Sequence, residues 1–356
     1  MDEDRTLRAT LDERFAGDTL DPNVWFPYHL PHWSSRAASA ATWSVRDGEL
    51  HLTIPVDQPL WCPGLHEEPL RVSCIQSGSF AGLRGSTIGQ MPFREGLVVR
   101  EEQPTMWGYT PLYGHVEVRM RGIITARSLV AFYMSGIEDQ PERAGEICVA
   151  EIFGDAIRDG SAAVGIGVKK LGDPALTQEF AAEPLEIDIA ELHTYGVDWR
   201  PGALAFTVDG EVVRRLDQAP DYPMQLMIGV FDFPAKARED DAGKHVPELV
   251  VSHVRGHPLD DVERLCQPLS GVGLGRLVWP DTAAVERPSG ASGSGRSARS
   301  AARTNGLDAG VAAAIERVVG DPGGDHAPGL VRWAVRQTDV RGSGPQVGDA
   351  QAGAPH

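Results

Sequence analysis

The chain has 356 residues, 50 acidic against 33 basic, for a formal net charge of −17. This length accommodates one large domain with an appendage, or two domains, and the acidic balance argues against a nucleic-acid partner, which needs a basic surface. No segment approaches the roughly 18 consecutive apolar residues of a membrane helix. Met1-Asp2-Glu3-Asp4-Arg5 has neither the basic nor the apolar region of a secretory leader, so the chain as written reads as cytoplasmic, or as extracellular if the start is misplaced or export is unconventional.

In chain order, residues 1–14 read as an N-terminal extension and 15–280 as a β domain. Trp33 lies in an N-terminal loop placed to reach over a neighbouring face. Asp47-Gly48 is a turn signal, after which Leu50, Leu52 and Ile54 alternate with polar residues. Pro55 to Met91 is long and rich in Pro and Gly. Such a segment is usually functional, disordered or partly strand, and here it would wall one end of a cleft. Cys62 and Cys74 within it either pair in an oxidising compartment or remain reduced and buried. Trp107 and Tyr109 sit in a Gly/Pro-rich loop, placed to offer aromatic faces to a bound ligand. Val116, Val118 and Met120 then alternate with Glu117, Arg119 and Arg121.

The stretch Glu146-Ile147-Cys148-Val149-Ala150-Glu151 carries the most chemistry. In a regular strand, Glu146 and Cys148 share a face and Glu151 points away. A one-residue bulge between Cys148 and Glu151 returns Glu151 to the same face. Two carboxylates about 5–5.5 Å apart are what a retaining glycosidase requires. Without a bulge they are two surface glutamates on a solvated strand.

Further on, Phe206 and Val208 lead through Asp209-Gly210, a dipeptide that favours the type I′ turn, into Val212-Val213. Leu226, Ile228 and Val230, then Val250 and Val254, complete about a dozen strands with no helix, which suggests two packed antiparallel sheets. Residues 281–356 carry eight acidic and eight basic side chains and a Ser/Gly-rich run at 288–295; they read as a disordered tail. The spaced pairs His29/His32 and His253/His257 read as ordinary surface histidines rather than metal ligands. Gly271-Val272-Gly273-Leu274-Gly275 does not fit a dinucleotide fingerprint.

Several of these segments, in this order, resemble glycoside hydrolase family 16. Asp18-Thr19-Leu20-Asp21-Pro22-Asn23-Val24-Trp25, Val45 to Leu50, Tyr113-Gly114-His115-Val116-Glu117-Val118-Arg119, and His193-Thr194-Tyr195-Gly196-Val197-Asp198-Trp199 with Val208-Asp209-Gly210 are similar to family blocks. Glu146 to Glu151 is similar to its Glu-x-Asp-x-x-Glu strand, with Cys148 in place of the middle Asp. The resemblance covers about residues 15–257 and implies a concanavalin-A-like jelly roll with a concave cleft. It further implies Glu146 as nucleophile and Glu151 as general acid/base of a retaining endo-acting hydrolase or transglycosylase. The substrate would be a β-linked polysaccharide or oligosaccharide of glucan or galactan type.

On the same resemblance Cys148 modulates the pair without the charge of a carboxylate. Tyr133 lies beside the cleft, Leu129 stands where a subsite Trp is often found, and Trp25 and Trp199 belong to the core. Arg119 is either a carboxylate-orienting residue or part of a solvated face. Ser252 occupies the position of a calcium-binding acid, so no metal and no cofactor are expected. The alternatives are a non-catalytic carbohydrate-binding protein with the same cleft, or a structural sandwich.

Overall fold

A computed structural model describes residues 10–237 and 246–258. Among them are seventeen strands, one four-residue helix and three short 3-10 turns. The first sheet runs in the order β15 (Glu211–Leu216), β14 (Ala203–Val208), β13 (His193–Arg200), β7 (Gly114–Ile123), β17 (Glu248–His257), β3 (Glu49–Thr53) and β2 (Thr42–Arg46), with β1 (Leu11–Glu13) also paired to β17. The second runs β10 (Ile157–Arg158), β11 (Ser161–Lys169), β9 (Glu146–Phe153), β8 (Ser128–Gly136), β16 (Met224–Asp232) and β4 (Arg71–Gln76), with β12 (Glu179–Leu185) on β11. A small ribbon pairs β5 (Gly78–Ser79) with β6 (Met106–Trp107).

The alternation seen in sequence sets the faces of both sheets. Val116, Val118 and Met120 of β7 meet Ile147, Val149 and Ile152 of β9 in one core between the sheets. Trp25 and Trp199 lie in that core, 1% and 0% exposed. Burial of so many large apolar side chains, at about 1.5–3 kcal/mol each, is the main force closing the sandwich. The Asp209-Gly210 hairpin joins β14 and β15 with both turn residues at positive φ, 50° and 83°, as a type I′ turn requires.

Two expectations shift. Residues 11–13, read as extension, are β1; Leu11 and Phe15 bury against the main core, so the domain starts earlier than residue 15. Part of the Pro55–Met91 segment is strand: β4 is buried along most of its length and pairs with β16 in register Ile75↔Ile228. The tail at 281–356 and the Gly271–Gly275 run lie outside the described residues.

A second apolar cluster lies on the far side of the second sheet. Leu129, Ala131 and Tyr133 of β8 and Met227 and Phe231 of β16 meet Leu30, Trp33, Trp61, Leu70, Met91 and Phe93 from the loops. The long segment expected to wall one end of the cleft therefore roofs part of this sheet.

Candidate active site

The site is assembled by one irregularity in β9. Tyr133 opposes Cys148, whereas Phe132 opposes Ala150, so one residue of β9 is extra. The same slip appears against β11, where Gly165 faces Glu151 and Gly167 faces Cys148. Ile147, Val149, Ala150 and Ile152 all point into the inter-sheet core. The displaced alternation leaves Glu146, Cys148 and Glu151 together on the opposite face, one polar atom of each lying within 4.8 Å of the other two.

The partner strand contributes what the sequence reading missed. Lys169, at the end of β11, lies opposite Glu146. Its ammonium sits 2.9 Å from Glu146 Oε1 and 2.6 Å from Glu151 Oε1 and is 3% exposed. The ring of Phe180 lies 4.9 Å from Nζ. The Cys148 thiol donates to Glu146 Oε1 at 2.9 Å. By spacing, Glu146, Cys148 and Glu151 would suit a cation, but the ammonium already bridges the two carboxylates.

A signal for Lys169 did exist. Val164, Ile166 and Val168 face the core, so period-two alternation sends Gly165, Gly167 and Lys169 to the face of the glutamates. Gly167 is required in its place: φ is +145°, and a Cβ there would lie 2.1 Å from the Glu179 carbonyl oxygen.

These groups are buried charges. Glu146 is 1% and Glu151 5% exposed. Burial raises the Glu151 carboxyl above the ordinary carboxylate range, Lys169 opposes that rise, and Glu146 adds to it. Burial disfavours the charge on Lys169, yet the Glu146 and Glu151 carboxylates in contact with it hold its ammonium well above the usual lysine value. Burial likewise keeps the Cys148 thiol protonated, well above its usual range.

Above the carboxylates is a cavity of about 20 Å³ lined by His29, Trp61, His66, Leu70, Tyr133 and Phe231, among others. That is room for a water molecule rather than a sugar. The roof is a mutual aromatic packing: Trp61 stands 4.9 Å from His29, 5.5 Å from His66 and 5.0 Å from Phe93, centroid to centroid. His29 and His32 are buried rather than on the surface. Desolvation lowers their pKa to about 3 and about 4, so the roof is uncharged near neutrality.

Of the residues expected at a site, Glu146, Cys148, Glu151 and Tyr133 come together. Trp33 is buried in the roof, donating its indole N–H to the Gln90 carbonyl at 2.7 Å, and does not line the cavity. Trp107 is half-buried in β6 and also lies off the cavity wall. Tyr109 is no stacking platform: it is 1% exposed in the inter-sheet core, packed on Gly256. Arg119 is not a carboxylate-orienting residue for this pair. Its strand belongs to the first sheet, and with Val118 and Met120 turned inward Arg119 lines a shallow outer concavity with Glu117, His193, Asp209 and His253. Cys62 and Cys74 are unpaired, buried thiols.

Comparison with known proteins agrees with this layout. Residues 108–246 match the family described as "Glycosyl hydrolases family 16". No curated protein matches the chain in sequence. Among solved structures, the GlcNAcα1-4Gal-releasing endo-β-galactosidase of Clostridium perfringens is similar at 25% identity and a TM-score of 0.59, over 70% of this chain and 62% of that one. The chain thus spans less than two thirds of that enzyme. The laminarinase of Flavobacterium sp. UMI-01 is similar at 17% identity and a TM-score of 0.47, over 69% of this chain and 98% of its own. The endo-1,3-beta-glucanase (laminarinase) catalytic domain of Thermotoga petrophila RKU-1 gives 14%, 0.47, 69% and 95% in the same order. With its two-sheet jelly roll and a bulged strand carrying paired glutamates, the chain is similar to the glycosyl hydrolases of family 16, which it matches over residues 108–246.

Proposed function

We propose that the protein is a retaining, endo-acting glycoside hydrolase or transglycosylase on a β-linked polysaccharide, working by double displacement. The observation that carries this reading is the convergence of Glu146 and Glu151 on one face within 4.8 Å. That spacing suits a retaining pair and is too short to place a water between the sugar and a general base, as inversion needs. In the first step a Glu146 oxygen attacks the anomeric carbon as the glycosidic C–O bond breaks, and Glu151 gives its proton to the departing oxygen. In the second, water or a sugar hydroxyl displaces Glu146, and Glu151 takes the proton back. The raised pKa of Glu151 fits the group that must start protonated.

Similarity to an endo-β-galactosidase supports the galactan-type side of the substrate range over the glucan-type side. Because the cavity above the pair is too small for a sugar, productive binding requires the roof over it, which includes Trp61 and His66, to open.

The second reading, a carbohydrate-binding protein without turnover, draws on the neutral Cys148 thiol and on the ion pairs that engage both carboxylates. A panel of β-glucans and β-galactans digested with wild type and Glu146→Gln separates the two. Turnover by wild type and none by the variant, with glycan binding kept, is expected. Binding without turnover by wild type would establish the second reading, and equal turnover by both would remove Glu146 from the mechanism.

A further inference from the structure

A cation buried between two carboxylates that must hold different protonation states is an unusual arrangement. Removing two charges from water costs several kcal/mol per ion, and the Coulomb attraction returns this only when the geometry is close. Here it is close on both sides, at 2.9 and 2.6 Å, with the ammonium 3% exposed. Lys169 is also fixed from behind. Its strand neighbours Gly165 and Gly167 lie flat against β9 and β12, and the Phe180 ring lies 4.9 Å from its nitrogen.

We propose that Lys169 is a positioning residue for the reacting pair: by bridging Glu146 and Glu151 it holds them at their working separation. The inference rests on Glu146 and Glu151 being the reacting groups. In a strand where Cys148 brings no charge, a cation from the adjacent strand fixes the two carboxylates, and its sign is opposite to that of a third acid. The titratable groups around it are Glu146, Cys148 and Glu151 from β9, Tyr133 from β8, and His29 and His66 from the roof; β12 contributes the uncharged Phe180. With the thiol, the phenol and both histidines neutral near pH 7, Lys169 is the positive charge that the pair feels most closely.

The sign follows directly. A neighbouring cation lowers a carboxyl pKa by about 1–3 pH units. Loss of Lys169 therefore moves the titration of Glu151 upward. In a pH–rate profile, the alkaline limb, set by the acid catalyst, moves up with it.

The test uses the full-length protein with ¹³C-labelled glutamate carboxyl groups, titrated by NMR in wild type, Lys169→Met and Lys169→Arg. Glu146→Gln and Glu151→Gln assign the two resonances. Upward movement of the Glu151 titration by about 1–3 pH units in Lys169→Met, with Lys169→Arg close to wild type, supports the proposal. An unmoved Glu151 titration in a folded Lys169→Met would overturn it. If that variant does not fold, the ¹⁵N signal of the Lys169 side chain in the wild type decides: an ammonium from pH 5 to 9 supports the proposal, and a neutral amine overturns it. Because the readout is ionisation rather than turnover, shifted titrations in a protein inactive on every glycan would uphold Lys169 while removing the hydrolase reading.

Discussion

Cys148→Asp restores a carboxyl at the centre of the bulged strand, and its cost is calculable. Cys148 is fully buried, 2.9 Å from Glu146 Oε1, and its surroundings hold two carboxyl groups against one ammonium. Lys169 already contacts one oxygen of each glutamate, so the new group gains little undivided attraction. Desolvation and two like charges would raise its pKa by about 3 pH units over the unfolded value near 3.9. Below about pH 3.9 the new group is protonated in both folded and unfolded chains, so the variant then loses least. As pH rises toward the raised folded value, the unfolded chain sheds its proton first, and stability falls by about 1.4 kcal/mol per pH unit. At neutrality the deficit reaches about 4 kcal/mol, or about 8–16 °C in melting temperature for a domain of this size. Thermal melts of wild type and variant at pH 4.5 and 7.5 measure it. A deficit that is equal at both pH values, or absent, would show that Cys148 does not sit in a desolvated acidic cluster.

Three further outcomes follow from named contacts. Trp61→Ala removes the hub of the aromatic roof; it should cost up to about 3–5 kcal/mol by chemical denaturation and speed labelling of Glu146 by a mechanism-based epoxide glycoside, and unchanged labelling would argue against a roof. Gly167→Ala sets a Cβ 2.1 Å from the Glu179 carbonyl at a φ of +145°; a loss of about 1–3 kcal/mol is expected, and a variant as stable as wild type would contradict the close packing of β11 on β12. Tyr222 accepts from the Gly145 N–H and donates to Asp173, both at 2.7 Å. Tyr222→Phe leaves two buried partners unsatisfied beside Glu146 and should lower stability by about 1–3 kcal/mol, visible in the same denaturation assay.

Much of the sandwich was legible because one face of each strand is buried. Period-two alternation reveals β3, β7 and β14, and Asp209-Gly210 marks its hairpin. The bulge was legible as well, since the spacing of Glu146 and Glu151 joins them only if one residue is extra. Harder to read were elements without a polar face. β4, Arg-Val-Ser-Cys-Ile-Gln, is buried between the core and the roof and shows no alternation. The roof has no period at all: Trp61, His66 and Phe93 meet through tertiary packing that joins distant loops. Arg119 shows a different limit. Alternation fixes its face relative to Val118, but which sheet β7 joins depends on pairing with β13 and β17, far along the chain. Lys169 belongs to no motif, and only the register with β9, set by distant pairing, buries it beside the glutamates while Lys170 stays half-buried.

The most direct test of paired carboxylates acting by double displacement is the stereochemistry of the first product. Proton NMR of a digest of the glycan that wild type cleaves, followed from the first minutes before mutarotation, reads the anomeric configuration of the new reducing end. With Glu146 and Glu151 within 4.8 Å, the β configuration should appear first and the α form only later, by mutarotation. An α product formed at once would mean single-step inversion by a water between widely spaced groups, and would contradict the roles given to both glutamates.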